Sequence, residues 1–151
     1  PYRELFKFCE DHPKINYHGS VPNDEIRKAL QQAHFYAYPN TWQETSCISL
    51  IEAMSAGLFC VHPNYAALPE TAANWTWMYQ WQENQRDHSK LFYELTNHAI
   101  EVYNHEDTQK TLLAQKAYID AFYGWHNRAD QWKNLLIAML KDIKRIDYEE
   151  K

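Results

Sequence analysis

Apolar positions along the chain repeat at two spacings, and the switch between them divides it. Over residues 2–11, Leu5, Phe6 and Cys9 share one helical face, and Pro13 ends the run. "KINYHG" then predicts a short strand closed by Gly19. In "SVPNDEIRKALQQA", Pro22, Asn23 and Asp24 supply helix-start chemistry, and Ile26, Ala29, Leu30 and Ala33 line one face. "HFYAYP" predicts a second strand, closed by Pro39. Cys47 to Ser55 reads as a helix stopped by Gly57. "LFCVHP" predicts a third strand and "WTWMYQW" a fourth.

Strands alternating with helices over short connections predict parallel strands with crossover helices, an α/β layer fold of Rossmann-like type. The near-continuous apolarity of "FYAY" and "LFCV" suits strands covered on both faces. After Asp87 the period is wholly helical. Leu91, Phe92, Leu95, Ala99, Val102 and Tyr103 form one stripe; Leu112, Leu113, Lys116 and Ala117 form a weaker one. The strongest runs through Trp125, Ala129, Trp132, Leu135, Leu136, Met139 and Leu140, which places Trp125 and Trp132 in the core. The charged tail "DIKRIDYEEK" is expected to fray.

A length of 151 residues with 45% hydrophobic content suffices for one domain with a real core. The net charge of −5, without a Lys/Arg block, argues against nucleic acid as a partner. Cys9, Cys47 and Cys60 lack C-x-x-C spacing, which favours reduced thiols over a disulfide framework or zinc. His98 and His105 stand seven apart rather than three or four, so no metal site is expected. No apolar run is long enough for a transmembrane segment, and the first residues do not read as a signal peptide. The expected setting is cytoplasmic.

Candidate chemistry concentrates in "NTWQETSCISLIEAMSAG", residues 40–57. Ligands of parallel α/β sheets bind beyond the carboxyl ends of the strands, where helices begin. The helix from about Cys47 turns its free N–H groups toward that crevice and favours an anion such as phosphate, with Thr45 or Ser46 as the expected N-cap. Glu44, at the rim, would repel phosphate but can accept hydrogen bonds from the hydroxyls of a sugar. Glu52 lies about 7–9 Å further along the axis, and its two oxygens suit the paired hydroxyls of a ribose. The segment thus reads as sugar–phosphate–sugar. The plainer reading makes Glu44 a first-turn carboxylate favoured by the dipole and Glu52 a solvated helix residue.

"YPNTWQETSCISLIEAMSAGLFCVHPNYAALPE" resembles the signature of family 4 retaining glycosyltransferases of the GT-B class. Its marks are Pro39-Asn40, Glu44, Glu52-Ala53, Ala56-Gly57, the strand "LFCVH" and Glu70. "INYHGSVPNDEIRKALQQAHFYAYP" is similar to the family's lead-in and "FYGWHNRADQWKNLL" to its closing helix, so the resemblance spans residues 14–140. It implies a nucleotide-diphosphate sugar (a UDP- or GDP-sugar) as donor, retention of anomeric configuration and no dedicated metal or other cofactor. Glu44 would contact the transferred sugar as the catalytic carboxylate. Thr45, Ser46, Cys47, Ile48 and Ser49 would approach the sugar and diphosphate, and Glu52 would hold the ribose.

Thr45-Ser46-Cys47 replaces the Gly-rich step of many relatives, and by the resemblance the family's basic Arg and Lys on the diphosphate would lie upstream of where this chain begins. The chain is therefore expected to be a C-terminal piece of a two-domain enzyme, lacking its N-terminal acceptor domain and inactive alone. The acceptor would be a glycan or lipid-linked saccharide, which would bring the enzyme to the cytoplasmic membrane face. Trp42, His62 and Glu70 are further candidates, each with a structural alternative: a lid packing on the core, a satisfied strand-end histidine and a helix-cap carboxylate. Trp75, Trp77 and Trp81 read as strand cover more than as a carbohydrate platform. The alternatives to a transferase are a carbohydrate- or protein-binding module on the same scaffold and a nucleotide-sugar epimerase.

Overall fold

A computed structural model of the chain describes residues 2–149, with side chains described through residue 141. The side chains and last two residues of the charged tail, expected to fray, lie outside the described part.

The chain divides into two compact units, residues 1–32 and 33–151. The first holds helices α1 (Arg3–Asp11) and α2 (Asn23–Gln32). Phe6 stacks on Tyr17, with ring centroids 5.7 Å apart. The strand expected over "KINYHG" does not form. Ile15 and Tyr17 are exposed there, and a segment that no other described segment pairs with gains neither ladder hydrogen bonds nor burial.

The second unit runs β1 (Phe35–Ala37), α3 (Ile48–Ser55), β2 (Phe59–Asn64), α4 (Leu68–Ala72), β3 (Trp77–Gln80), α5 (Gln85–Val102), α6 (Glu106–Tyr123) and α7 (Trp125–Glu149). The strands form one parallel sheet in the order β1-β2-β3, with Phe35 opposite Phe59 and Val61 opposite Trp77. This is the expected parallel sheet with flanking helices, followed by a helical C-terminal segment.

Side chains alternate across the sheet. Phe35, Phe59, Val61 and Trp77 pack with Phe92, Leu95, Ala99 and Val102 of α5. On the other face Tyr36 meets Ser49 of α3. Covered on both sides, β2 is buried from Phe59 to Pro63, which explains its near-continuous apolarity. Helix α6 packs on α3 and buries Leu112, Gln115 and Ile119, with Leu112 joining the cluster of Phe59, Val61 and Ala99. Leu113, expected on the same stripe, is instead 70% exposed.

The last stripe is the clearest departure. Trp125 is 87% and Trp132 63% exposed, and Leu135, Leu136, Met139 and Leu140 are exposed as well. Periodicity shows that α7 is amphipathic but not that anything faces it, and no described element covers its apolar side. Among the described residues no helix is long and apolar enough to cross a membrane.

Helix α3 stops where glycine permits it. The Gly57 N–H bonds to the Met54 carbonyl at 3.0 Å and the Leu58 N–H to the Ala53 carbonyl at 3.1 Å, the paired closure of a Schellman motif. This requires the left-handed φ of 82° at Gly57. An added Cβ would meet nothing closer than the Lys116 side chain at 3.9 Å. Gly57→Ala is therefore expected to destabilise by about 1 kcal/mol through backbone conformation alone. Urea unfolding checks it: the midpoint falls while the slope stays the same.

Candidate functional site

The loop between β1 and α3 is stapled by its own polar groups. Asn40, 8% exposed, accepts the Trp42 N–H on Oδ1 at 2.8 Å and donates from Nδ2 to the Trp42 carbonyl at 2.7 Å. The Glu44 N–H reaches the same carbonyl at 3.1 Å. The Glu44 carbonyl accepts the Ala67 N–H at 3.2 Å, which ties this loop to the one leaving β2. Both loops leave the carboxyl edge of the sheet.

The Glu44 side chain is held from the residue just past the end of β1. The Tyr38 hydroxyl donates to Glu44 Oε1 at 2.8 Å. Burial, and next the bond to Glu44, raise the Tyr38 pKa above the usual tyrosine range, so the phenol keeps the proton it donates. Two residues back on the same face, Tyr36 hydrogen-bonds to the Ser49 hydroxyl at 2.7 Å. The Tyr36 and Tyr38 rings lie 5.4 Å apart. Tyr36 on β1 and Tyr38 just beyond its end thus reach both sides of the loop that follows.

Helix α3 begins one residue later than the hydroxyl caps predicted. Its N-cap is Cys47, extended at φ −121° and ψ 92°, and no side chain caps the helix. The Cys47 thiol is buried and lies 3.4 Å from Ser49 Oγ. The first-turn N–H groups of Ile48, Ser49 and Leu50 have no intrahelical acceptor by the geometry of a helix start. Thr45, Ser46, Ile48 and Ser49 are exposed, Ile48 at 70%. Glu52 is half-buried and one helical step from Ser49 on the same face. The far end of α3 is anchored to α6: Lys116 Nζ donates to the Ser55 carbonyl and to Asp120, and the Ser55 hydroxyl donates to Asp120.

The remaining candidates separate. Trp42 is 75% exposed, so it is no lid packed on the core. Glu70 is exposed in the first turn of α4 and makes no N-cap bond, since the N-cap there is Ala67. His62 is fully buried. Its Nδ1–H donates to the Pro63 carbonyl at 2.9 Å, and Nε2 accepts from the Thr76 hydroxyl at 2.7 Å. Burial lowers its pKa, which keeps the ring neutral. With both nitrogens used inside the protein, His62 is where its structural alternative put it.

The family model for glycosyl transferases group 1 matches residues 2–99. The chain belongs to that family. A comparison with curated proteins and one with solved structures each returned no match. The match takes in β1, α3, β2, α4 and β3, and ends within α5. Helices α6 and α7 lie beyond it, so the resemblance of "FYGWHNRADQWKNLL" to a closing helix has no support from the match.

For a glycosyl transferase, the Glu44–Tyr38 pair and the uncapped start of α3 are the features to explain. Sequence reasoning missed Tyr36 and Tyr38, and named Asn40 only as a mark of the family resemblance. The signal was present: two tyrosines at strand spacing just ahead of the loop, and an Asn two residues before Trp42, the spacing of an Asx turn.

Proposed function

We propose that this chain is the donor-binding domain of a retaining glycosyltransferase that uses a nucleotide-diphosphate hexose. The observation that carries the reading is the uncapped first turn of α3, set between Glu44 and Glu52 at the carboxyl edge of the sheet. The diphosphate sits against the N–H groups of Ile48, Ser49 and Leu50, where the helix supplies roughly half a positive charge. As the sugar leaves, that charge and those donors stabilise the nucleoside diphosphate. Tyr38 holds Oε1 of Glu44, which leaves Oε2 to accept from a sugar hydroxyl and fix the ring for transfer. Glu52 accepts from both ribose hydroxyls. The acceptor is a glycan or lipid-linked saccharide, presented by a further domain.

Thermal unfolding with UDP, GDP and their hexose conjugates tests the reading. A ligand that binds only the folded state raises the midpoint, by about 2.7 kcal/mol of stabilisation at a hundred times its Kd. One base series is expected to raise it in the wild-type chain, and Glu52→Ala to remove most of that rise. An equal rise in both proteins would take the ribose away from Glu52. No rise with any diphosphate would take the donor site away from α3.

A further inference from the structure

A cavity opens at the amino-terminal edge of the sheet, opposite the edge that carries Glu44. It measures about 200 Å³ and is lined by Phe59, Trp75, Trp77, Thr108, Thr111 and Gln115, among others. Phe59 and Trp77 are the first residues of β2 and β3, so the cavity lies a full strand length from Glu44 and the start of α3. The proposed donor does not reach it.

Gln115 is fully buried in its wall. Its Nε2 donates to the Leu58 carbonyl at 3.0 Å, which sets the orientation of the amide. Oε1 is then buried with no hydrogen-bond partner. An orphaned acceptor of this kind is costly, and a ligand that donates to it removes the cost. The wall carries no lysine or arginine to hold an anion. It holds no buried carboxylate for a cation either: Asp107, at the mouth, has a fully exposed side chain 4.0 Å from Lys110. A charged guest would be desolvated without compensation, so the chemistry fits a neutral donor. As to size, a cavity of about 150 Å³ holds one benzene ring. Two tryptophans beside hydroxyl-bearing threonines suit a ring with apolar faces and a polar rim.

We propose that this cavity binds the hydroxyl-bearing ring of a neutral sugar or cyclic polyol, with Gln115 Oε1 accepting from a ring hydroxyl. The ring is a free monosaccharide or the terminal unit of a glycan, and binding is independent of the donor site. Nitrogen–proton NMR of the full chain tests this through the indole signals of Trp75 and Trp77. The probes are methyl α-glucopyranoside, myo-inositol, maltotriose and, as a nearly apolar control, cyclohexanol. The expected result is a saturable shift with a single-ring polyol that cyclohexanol does not match. Thr111→Trp, at an exposed rim position, fills the mouth and should weaken that binding at least about tenfold. Gln115→Met should weaken it comparably, and if that variant does not fold, Thr111→Trp decides alone. Glu52→Ala should leave it unchanged. A shift with maltotriose as well assigns the terminal unit of a glycan. Saturation by none of the polyols, equal binding of cyclohexanol, or unweakened binding in Thr111→Trp would overturn the proposal.

Discussion

Glu44→Gln is expected to lower sugar transfer by roughly a hundredfold or more, the scale of losing one preorganised polar contact to the transition state. Glutamine keeps the shape of the side chain and a carbonyl oxygen for the Tyr38 hydroxyl, so the bond at 2.8 Å has a counterpart in the variant. What disappears is the charge and the second acceptor, replaced by an amide nitrogen that can donate to a sugar hydroxyl but cannot accept its proton. Stability should stay within about 0.5 kcal/mol, because no buried packing changes. Tyr38→Phe should act more mildly and in the same direction: it leaves the carboxylate in place and frees it to rotate. The rate of nucleoside diphosphate release from UDP- and GDP-hexoses, measured on the whole protein, separates the two. Wild-type turnover by Glu44→Gln would remove Glu44 from the chemistry. A loss in Tyr38→Phe as deep as in Glu44→Gln would mean that the phenol, not the carboxylate, touches the sugar.

The largest stability effect is expected at the helix carrying the site. Leu50 is fully buried on α3, beside Ala53 and Met54. Leu50→Ala removes its packing and leaves a void that the neighbours only partly fill, at about 3 kcal/mol. For a chain of this size that corresponds to roughly 6–12 °C in the unfolding midpoint. Trp132→Ala deletes a far larger side chain, yet Trp132 is 63% exposed. Its effect should stay near 0.5 kcal/mol or below. Thermal and urea unfolding of both variants decide the matter. If Trp132→Ala proved the more damaging, the exposed face of α7 would have to be covered in solution.

That pair of variants also marks the limit of pattern reading. The stripe on α7 is the strongest in the sequence, yet a hydrophobic period says only which residues share a face. It does not say whether a partner surface exists. Similarly, Ile15 and Tyr17 alternate as a strand would, but a strand is a relation between two segments, and among the described residues no second segment pairs with them. The candidate site was legible to a different depth at each position. Glu44, Glu52 and the start of α3 stood out through charge and helix signals close together in the chain. Tyr38 did not, because its role depends on a bond across six residues of folded loop. His62 looked like a candidate only until its burial and its bonds to Pro63 and Thr76 were known.

By itself, the sequence determined the α/β class, the place of the β1–α3 loop and the stop of α3 at Gly57, since each rests on local chemistry or short-range spacing. The tertiary structure alone decided which amphipathic faces found a partner, that Tyr38 grips Glu44, and that Gln115 lines a cavity with an unsatisfied oxygen. These depend on contacts between residues distant in the chain or on the folded path of a loop, and neither local propensity nor periodicity encodes them.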